Sequence, residues 1–193
     1  MTILLSILIP SVVERLECLT NIVRKINQQI AGGPVEVLVC LENKKRTTGR
    51  KRNELIEQAQ GKFVVFVDDD DTLSDDYVSQ LLTHIKENPE ADCIVFDVMV
   101  NIVNQKRKKL CKYGIEYKYG QNPNFYTRKP NHLMCYRKSI AESHKYKNIS
   151  YKEDDEWGER ACKNIKNQIR IDKVLYTYDY RHKPMSWYAK AQK

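Results

Sequence analysis

Short continuous runs of hydrophobic residues alternate with longer helical stripes in the first half of the chain. Apolar residues recur every three or four positions over 14–30, where Gly32-Gly33-Pro34 follows, and again over 49–60, so both segments predict amphipathic helices. Continuous apolar runs over 3–9 and 63–67 are typical of strands buried on both faces, and a mainly apolar run over 35–41 predicts another strand between them in sequence. Strand and helix therefore alternate up to the third run.

The same alternation continues with a helix predicted over 75–87 and a strand over 92–100. Repeated strand–helix units predict a sheet of parallel strands with helices on its faces and right-handed crossovers. We therefore expect a single α/β domain, Rossmann-like, with a mainly parallel central sheet flanked by helices.

Beyond about residue 101 the pattern loosens, and we expect short strands and loops as far as Pro130. A helix over 153–166 and a strand over 171–178 complete the prediction. The change near residue 101 divides the one domain, over 1–193, into halves of 1–100 and 101–193.

The composition is that of a globular protein, with 41% hydrophobic and 30% charged residues among 193. No apolar run reaches the roughly 18 residues that span a bilayer. The N-terminal run lacks preceding basic residues and ends at Pro10, so it is interpreted as a strand and not a signal peptide. The six cysteines form no C-x-x-C pair, and we expect reduced thiols and a cytoplasmic protein.

The net charge of +8 is concentrated in two basic clusters, over 44–52 and 106–112. Such clusters face phosphates, nucleic acid or an anionic membrane surface, or form a solvated surface without a partner. Charge alone leaves these alternatives open.

Four consecutive carboxylates, Asp68 to Asp71, directly follow the third predicted strand. Ligands of open parallel sheets bind beyond the carboxyl ends of the strands. Adjacent carboxylates repel one another unless a cation is bound, and Mg²⁺ takes one or two carboxylates together with substrate phosphates. Because Asp68 and Asp70 point to the same side of an extended segment, we expect one to reach a metal ion and the other a ribose or a metal-bound water.

Three other interpretations of this cluster compete with a metal site. The first is a solvated acidic turn that caps the following helix. An EF-hand is excluded, since Leu73 and Ser79 stand where its loop needs Gly and Glu. A haloacid-dehalogenase-like phosphatase, with Asp68 as nucleophile and Asp70 as acid/base, usually opens with this motif, whereas two strand–helix units precede it here.

A second acidic cluster, over 153–156, begins the predicted helix of the second half. Carboxylates in a first helical turn favour the positive end of the helix dipole. A carboxylate there, facing a metal-diphosphate site, also suits a general base.

Taken in order, these motifs resemble the family-2 glycosyltransferases of the GT-A fold along nearly the whole chain. The matching segments are 6–10 with Ser11, 36–42, 49–53 with 59–61, 68–71, Glu153-Asp154 with Arg160, and 180–182 with Ser186. Leu41-Glu42 departs from the Asp-Asp pair that usually contacts the nucleotide base. The resemblance implies a GT-A-like domain that transfers a sugar from a nucleotide-sugar donor, a UDP-sugar by default.

The resemblance also implies an inverting displacement with residues in defined roles. Asp154 is expected to deprotonate the acceptor hydroxyl, and Asp70 with Asp68 to hold Mn²⁺ or Mg²⁺ at the leaving diphosphate. Arg52 or His182 is expected to add positive charge there. The predicted donor-binding residues are Pro10, Ser11, Glu42, Arg52, Asp68, Asp69, Asp70 and His182.

The acceptor is the least defined part of the prediction. Glu153 and Trp157 are expected to contact it, although core packing is an equal alternative for Trp157. Glycans are the expected acceptors, and the basic clusters also permit a polyanion, including nucleic acid that carries a hydroxylated base. A non-catalytic module that binds nucleotide sugars without turnover is the remaining alternative.

Overall fold

The first half of the chain folds as predicted into alternating strands and helices. The fold is described from a computed structural model over residues 2–180. Its first elements are β1 (Leu5–Val12), α1 (Leu16–Ile30), β2 (Val35–Glu42), α2 (Thr48–Gln58) and β3 (Phe63–Phe66). Ala31 and Gly32, both with positive φ, end α1.

The remaining elements are shorter on average. They are β4 (Thr72–Leu73), α3 (Tyr77–Glu87), β5 (Cys93–Ile102), β6 (Arg107–Tyr113), β7 (Gly120–Gln121), β8 (Phe125–Arg128), β9 (Cys135–Arg137), α4 (Lys138–Glu142), α5 (Glu153–Ala161) and β10 (Gln168–Tyr180). The helix predicted to run to residue 166 is wrong at its end, because α5 stops at Ala161 and a single 3₁₀ turn follows. The pattern did not predict β9 and α4.

The ten strands found within residues 2–180 belong to one sheet, in which β2, β1 and β3 lie side by side and parallel. The short antiparallel strand β9 separates β3 from β5, so that β5 runs in the same direction as β3, and β10 lies parallel beside β5. The prediction of a single α/β domain is confirmed. Its parallel character belongs to these long strands, whereas β4, β6, β8 and β9 run the opposite way and make the sheet mixed.

The core lies between this sheet and the helices. β1 and β3 are buried on both faces, as their continuous apolar runs predict. Helix α1 packs on the sheet with its buried apolar stripe, which consists of Leu19, Ile22 and Ile26. Among the described residues, no helix is both long and apolar enough to cross a bilayer.

Helix α2 packs its first turn tightly against the segment that precedes α5. Thr47 caps α2 by accepting a hydrogen bond from the backbone N–H of Arg50, and the N–H of Gly49 donates to the Ile149 carbonyl over 3.0 Å. A Cβ added at Gly49 would lie 1.9 Å from the Lys147 carbonyl oxygen. Only glycine therefore allows this approach of the two halves of the domain.

We expect Gly49→Ala to lower the free energy of unfolding by about 1–3 kcal/mol, as overpacking against backbone does. Chemical denaturation measures the change. Gln58→Ala, at an exposed position of the same helix, is the matched control and should change little. Equal stability of the two variants would contradict the close approach.

Candidate active site

The four carboxylates after β3 stand at the carboxyl end of a central strand, and each faces different partners. Asp69 is buried and accepts hydrogen bonds from Ser11 Oγ at 2.5 Å and Arg15 Nη1 at 2.8 Å. Asp71 is buried too, and accepts from the Tyr176 hydroxyl at 2.7 Å and the Asp179 N–H at 3.1 Å. Burial and the nearby Asp68 charge raise the pKa of Asp71. An exposed acidic turn is therefore the wrong interpretation.

Asp70 is the carboxylate of this group that opens to solvent, with 46% of its side chain exposed. Arg15 Nη1 lies 3.1 Å from Asp70 Oδ2. Partial burial and the charges of Asp68 and Asp69 raise the pKa of Asp70, while Arg15 opposes them. Asp70 is thus held in a position where added positive charge is favourable.

Asp68 joins the two halves of the domain through a buried arginine. Arg52, on α2, is 3% exposed, and its Nη2 donates to Asp68 Oδ1 over 3.1 Å while its Nε donates to Glu153 Oε1 over 3.4 Å. The guanidinium also lies 4.8 Å from the centre of the Phe66 ring. Burial opposes the ionisation of Asp68, but Arg52 and His132 hold its pKa well below the usual value.

His132 connects the first acidic cluster to the second. Its Nε2 lies 3.3 Å from Asp68 Oδ2, and its Nδ1 lies 3.1 Å from Asp154 Oδ2. Burial and Arg52 lower the pKa of His132, but the carboxylates of Asp68 and Asp154 outweigh them and raise it to about 9. The sequence analysis missed this residue, since no local motif marks a histidine that meets its partners only in the folded chain.

Asp154 lies in the first turn of α5 and faces the cluster after β3. Burial opposes its ionisation, but the adjacent His132 lowers the pKa of Asp154 to about 2. Asp154 is therefore a carboxylate at neutral pH and is able to accept a proton from a bound hydroxyl group.

The structure corrects both predicted acceptor contacts. Trp157 is 1% exposed, stacks on Tyr146 at 4.7 Å between ring centres, and donates from Nε1 to the His144 carbonyl. A ring buried in this way has no surface for a sugar, so Trp157 is a core residue. Glu153 is also buried and pairs with Arg52, which makes it a support for that arginine.

The predicted donor-binding residues of the first two strands lie at the same edge of the sheet. Pro10 and Ser11 are buried in β1, and Glu42 ends the parallel strand β2. The Glu42 Oε2 atom accepts hydrogen bonds from the N–H groups of Lys45 and Arg46. Its Oε1 lies 3.3 Å from Lys51 Nζ and has no hydrogen-bond partner among the described residues. His182 lies outside the described residues, as do Arg181, Ser186 and Trp187.

The carboxylates available as metal ligands suit a cation that the substrate helps to bind. They do not form a complete metal site from protein side chains alone. Among residues 2–180, no cluster of three His, Cys, Asp or Glu side chains is arranged to hold a metal ion. Both Asp68 oxygens are engaged by Arg52 and His132, whereas Asp70 is accessible. One accessible carboxylate suits Mg²⁺ or Mn²⁺ that takes its other ligands from a diphosphate and water.

Carboxylates at the ends of parallel strands, with an ionised Asp154 held towards them from α5, form the candidate site. The model of Glycosyl transferase family 2 matches residues 6–149, and the chain belongs to this family. The phosphatase alternative is therefore wrong, and Asp68 is engaged on both oxygens where that alternative needs a free nucleophile.

Solved structures of S. aureus TarS share the fold. The structure of TarS 1-349 is 17% identical, with a TM-score of 0.67 over 92% of this chain and 60% of that chain. The complex of TarS 1-349 with UDP-GlcNAc is 15% identical, with a TM-score of 0.63 over 94% of this chain and 60% of that chain. This chain thus spans about 60% of the length of those structures. No curated protein sequence matches it.

We expect His132→Ala to lower the free energy of unfolding by about 1–3 kcal/mol, because it leaves the partly buried Asp68 and Asp154 carboxylates without their shared partner. Urea denaturation at neutral pH measures the loss. His144→Ala, which removes a partly exposed histidine, is the control and should cost much less. If the His132 variant were as stable as the control, the contacts of His132 with Asp68 and Asp154 would contribute little to the free energy of unfolding.

Proposed function

We propose that the protein transfers a sugar from a UDP-sugar to an acceptor hydroxyl, with inversion at the sugar carbon and with assistance from a divalent cation. The observation that carries the proposal is that an accessible Asp70 and an ionised Asp154 belong to two acidic clusters that Asp68 and His132 connect. His132 fixes Asp154 relative to the cluster after β3, with distances of 3.1 Å to Asp154 and 3.3 Å to Asp68.

Asp154 is the proposed general base. A base must lie about 2.6–3.2 Å from the hydroxyl that it deprotonates. The acceptor oxygen then forms a bond to the sugar carbon as the bond to the diphosphate oxygen breaks on the opposite face. The proton moves to Asp154, the electron pair leaves with the diphosphate, and inversion follows from this single displacement.

Asp70 is the proposed protein ligand of Mn²⁺ or Mg²⁺, and a contribution of Asp68 remains part of the prediction. When bound, the ion neutralises charge that develops on the leaving diphosphate. Arg15 is a further candidate for neutralising the diphosphate, because its guanidinium is half-exposed and lies against Asp69 and Asp70. The sequence analysis missed this residue. Arg52 supports the same edge indirectly by fixing Asp68.

Donor recognition is proposed at the carboxyl ends of β1 and β2. Glu42, at the end of β2, is the proposed contact to the nucleotide base, and this contact requires its buried Oε1 to separate from Lys51 Nζ, which lies 3.3 Å away. UDP-GlcNAc and UDP, the ligands in two TarS complexes of similar fold, support uridine diphosphate as the nucleotide. The proposed division gives donor binding to residues 1–100 and acceptor binding with catalysis to residues 101–193.

A cytoplasmic location is also part of the proposal. All six cysteines are free thiols, three of them buried, and burial raises the pKa of Cys93 and Cys135. Unpaired thiols are typical of proteins in a reducing compartment.

Asp70→Ala should abolish metal-supported binding of UDP, because an apolar side chain cannot replace a carboxylate ligand of a hard cation. Isothermal titration of UDP with Mn²⁺, and again with chelator, measures the effect. Asp75→Asn removes an exposed carboxylate that is not part of the candidate site, and it is the control. If UDP binding by the wild type were insensitive to chelator, the proposed metal dependence would be wrong. Arg15 would then be the group that neutralises the diphosphate.

Asp154→Asn should lower turnover by roughly 10²- to 10⁴-fold, the usual contribution of general-base catalysis, while UDP-sugar affinity changes little. Release of UDP in the presence of a panel of acceptors measures turnover. Asp155→Asn is the matched control in the same helical turn. A sensitive Asp155 with an insensitive Asp154 would move the base by one position, and wild-type binding without turnover would favour the non-catalytic alternative.

A further inference from the structure

One face of the sheet beside the active site gathers aromatic and basic side chains from three strands. Alternation along β6 directs Lys109, Cys111 and Tyr113 to the same face. Paired residues of neighbouring strands share a face, and the register pairs Cys111 with Tyr126 and Tyr113 with Arg128. Lys109, Tyr126 and Arg128 therefore lie on one side of the sheet.

Tyr178 belongs to the same face. Val100 of β5 pairs with Lys109 on one side and with Tyr178 of β10 on the other. The Tyr178 side chain is 38% exposed. The backbone N–H of the next residue, Asp179, donates to Asp71 over 3.1 Å, so this part of β10 lies next to the cluster after β3.

The basic side chains of this face are held by aromatic rings. Lys109 Nζ lies 4.3 Å from the centre of the Tyr126 ring, and the Arg128 guanidinium lies 3.4 Å from the Tyr119 ring and 5.3 Å from the Tyr126 ring. Arg128 also donates to the carbonyls of Gly120 and Thr127. Cation–π contacts of this kind fix a charge in place without neutralising it.

Neither cation has a carboxylate partner in an ion pair within residues 2–180. Lys109 is only 9% exposed, although a lysine so deeply buried is ordinarily paired. Burial of most of the Lys109 side chain restricts its ammonium group to one position, so an anionic ligand would meet a fixed positive charge there. Two pre-positioned cations without carboxylates thus point to a ligand that carries negative charge.

The face reaches the acidic cluster of the site through β10. Tyr176 lies on the same face as Tyr178, and its hydroxyl group donates to Asp71 over 2.7 Å. A chain bound along Tyr178, Lys109 and Arg128 would therefore extend from the acidic cluster across β6 and β8.

We propose that Lys109, Tyr119, Tyr126, Arg128 and Tyr178, here called the cationic platform, bind an anionic polysaccharide as the acceptor of the transfer. This inference rests on the proposed function. The chain charges are phosphate or carboxylate groups, which share the geometry that Lys109 and Arg128 recognise.

The ring geometry favours a polysaccharide over a nucleic acid. Single-stranded nucleic acids bind by stacking successive bases on free aromatic faces. The platform places cations against the faces of Tyr119 and Tyr126. The partly exposed Tyr178 offers a ring to a sugar next to the carboxylates of the site.

Four labelled polymers, titrated without donor and followed by fluorescence anisotropy, test the platform. They are phosphomannan for phosphate, polygalacturonate for carboxylate, neutral dextran and a single-stranded oligonucleotide. We expect at least one charged polysaccharide to bind about tenfold or more tightly than dextran, with affinity that falls as salt rises. The two charged polysaccharides distinguish phosphate from carboxylate as the recognised group.

Variants locate the binding surface. Lys109→Met and Arg128→Gln should each weaken binding of the charged polysaccharide by roughly tenfold, the value of one charge-assisted contact, while Lys109→Arg retains it. Lys166→Met removes an equal charge from the amino-terminal side of β10 and is the control, which should bind as the wild type does. Retained UDP binding shows that the Lys109 and Arg128 variants remain folded.

Tightest binding of the oligonucleotide, equal binding of dextran, or equal weakening by Lys109→Met and Lys166→Met would overturn the platform. Failure of the proposed function gives a different result, since it abolishes UDP binding or UDP release in the wild type and leaves these polymer affinities unchanged.

Discussion

A partly buried carboxylate between two buried basic groups connects the two halves of the molecule at its site. Asp68 receives Arg52 on one oxygen and His132 on the other, and these groups continue to Glu153 and Asp154 of α5. Burying charges is costly unless every partner is present. Removing one member of this network therefore leaves the charge of its neighbour without a partner. The chain of charges therefore fixes the second acidic cluster against the first.

This network separates the acidic residues by what surrounds them. Asp69 and Asp71 are fully engaged by hydroxyl, guanidinium and backbone donors, and they shape the loop after β3. Asp70 remains accessible for a counter-charge, and Asp154 is kept ionised by its histidine. Identical side chains thus acquire different burial, partners and pKa values from neighbours far away in sequence. The proposed cationic platform would extend this site along β6 and β8.

Local patterns were sufficient for the first half of the fold. Continuous runs marked β1, β2 and β3, the stripe of α1 marked its buried side, and the carboxylates were expected at a strand end, where they lie. Burial of a strand on both faces leaves such a run in the sequence whatever the partner strands are. The short strand β9 and helix α4 left no comparable period, since three and five residues are too few to show one.

The chemistry divides in the same way. Residue order alone brought out the family resemblance, the acidic motifs and Arg52 as members of a site, because motif residues are neighbours in sequence. His132, Arg15 and the burial of Trp157 depended on contacts across the folded chain, such as the 64-residue separation of His132 from Asp68. A lone histidine carries no signal in its own segment, and an aromatic residue has the same local pattern in a core as on a surface. Which polar groups meet, and which are removed from water, follows from the packing of distant elements and not from any segment on its own.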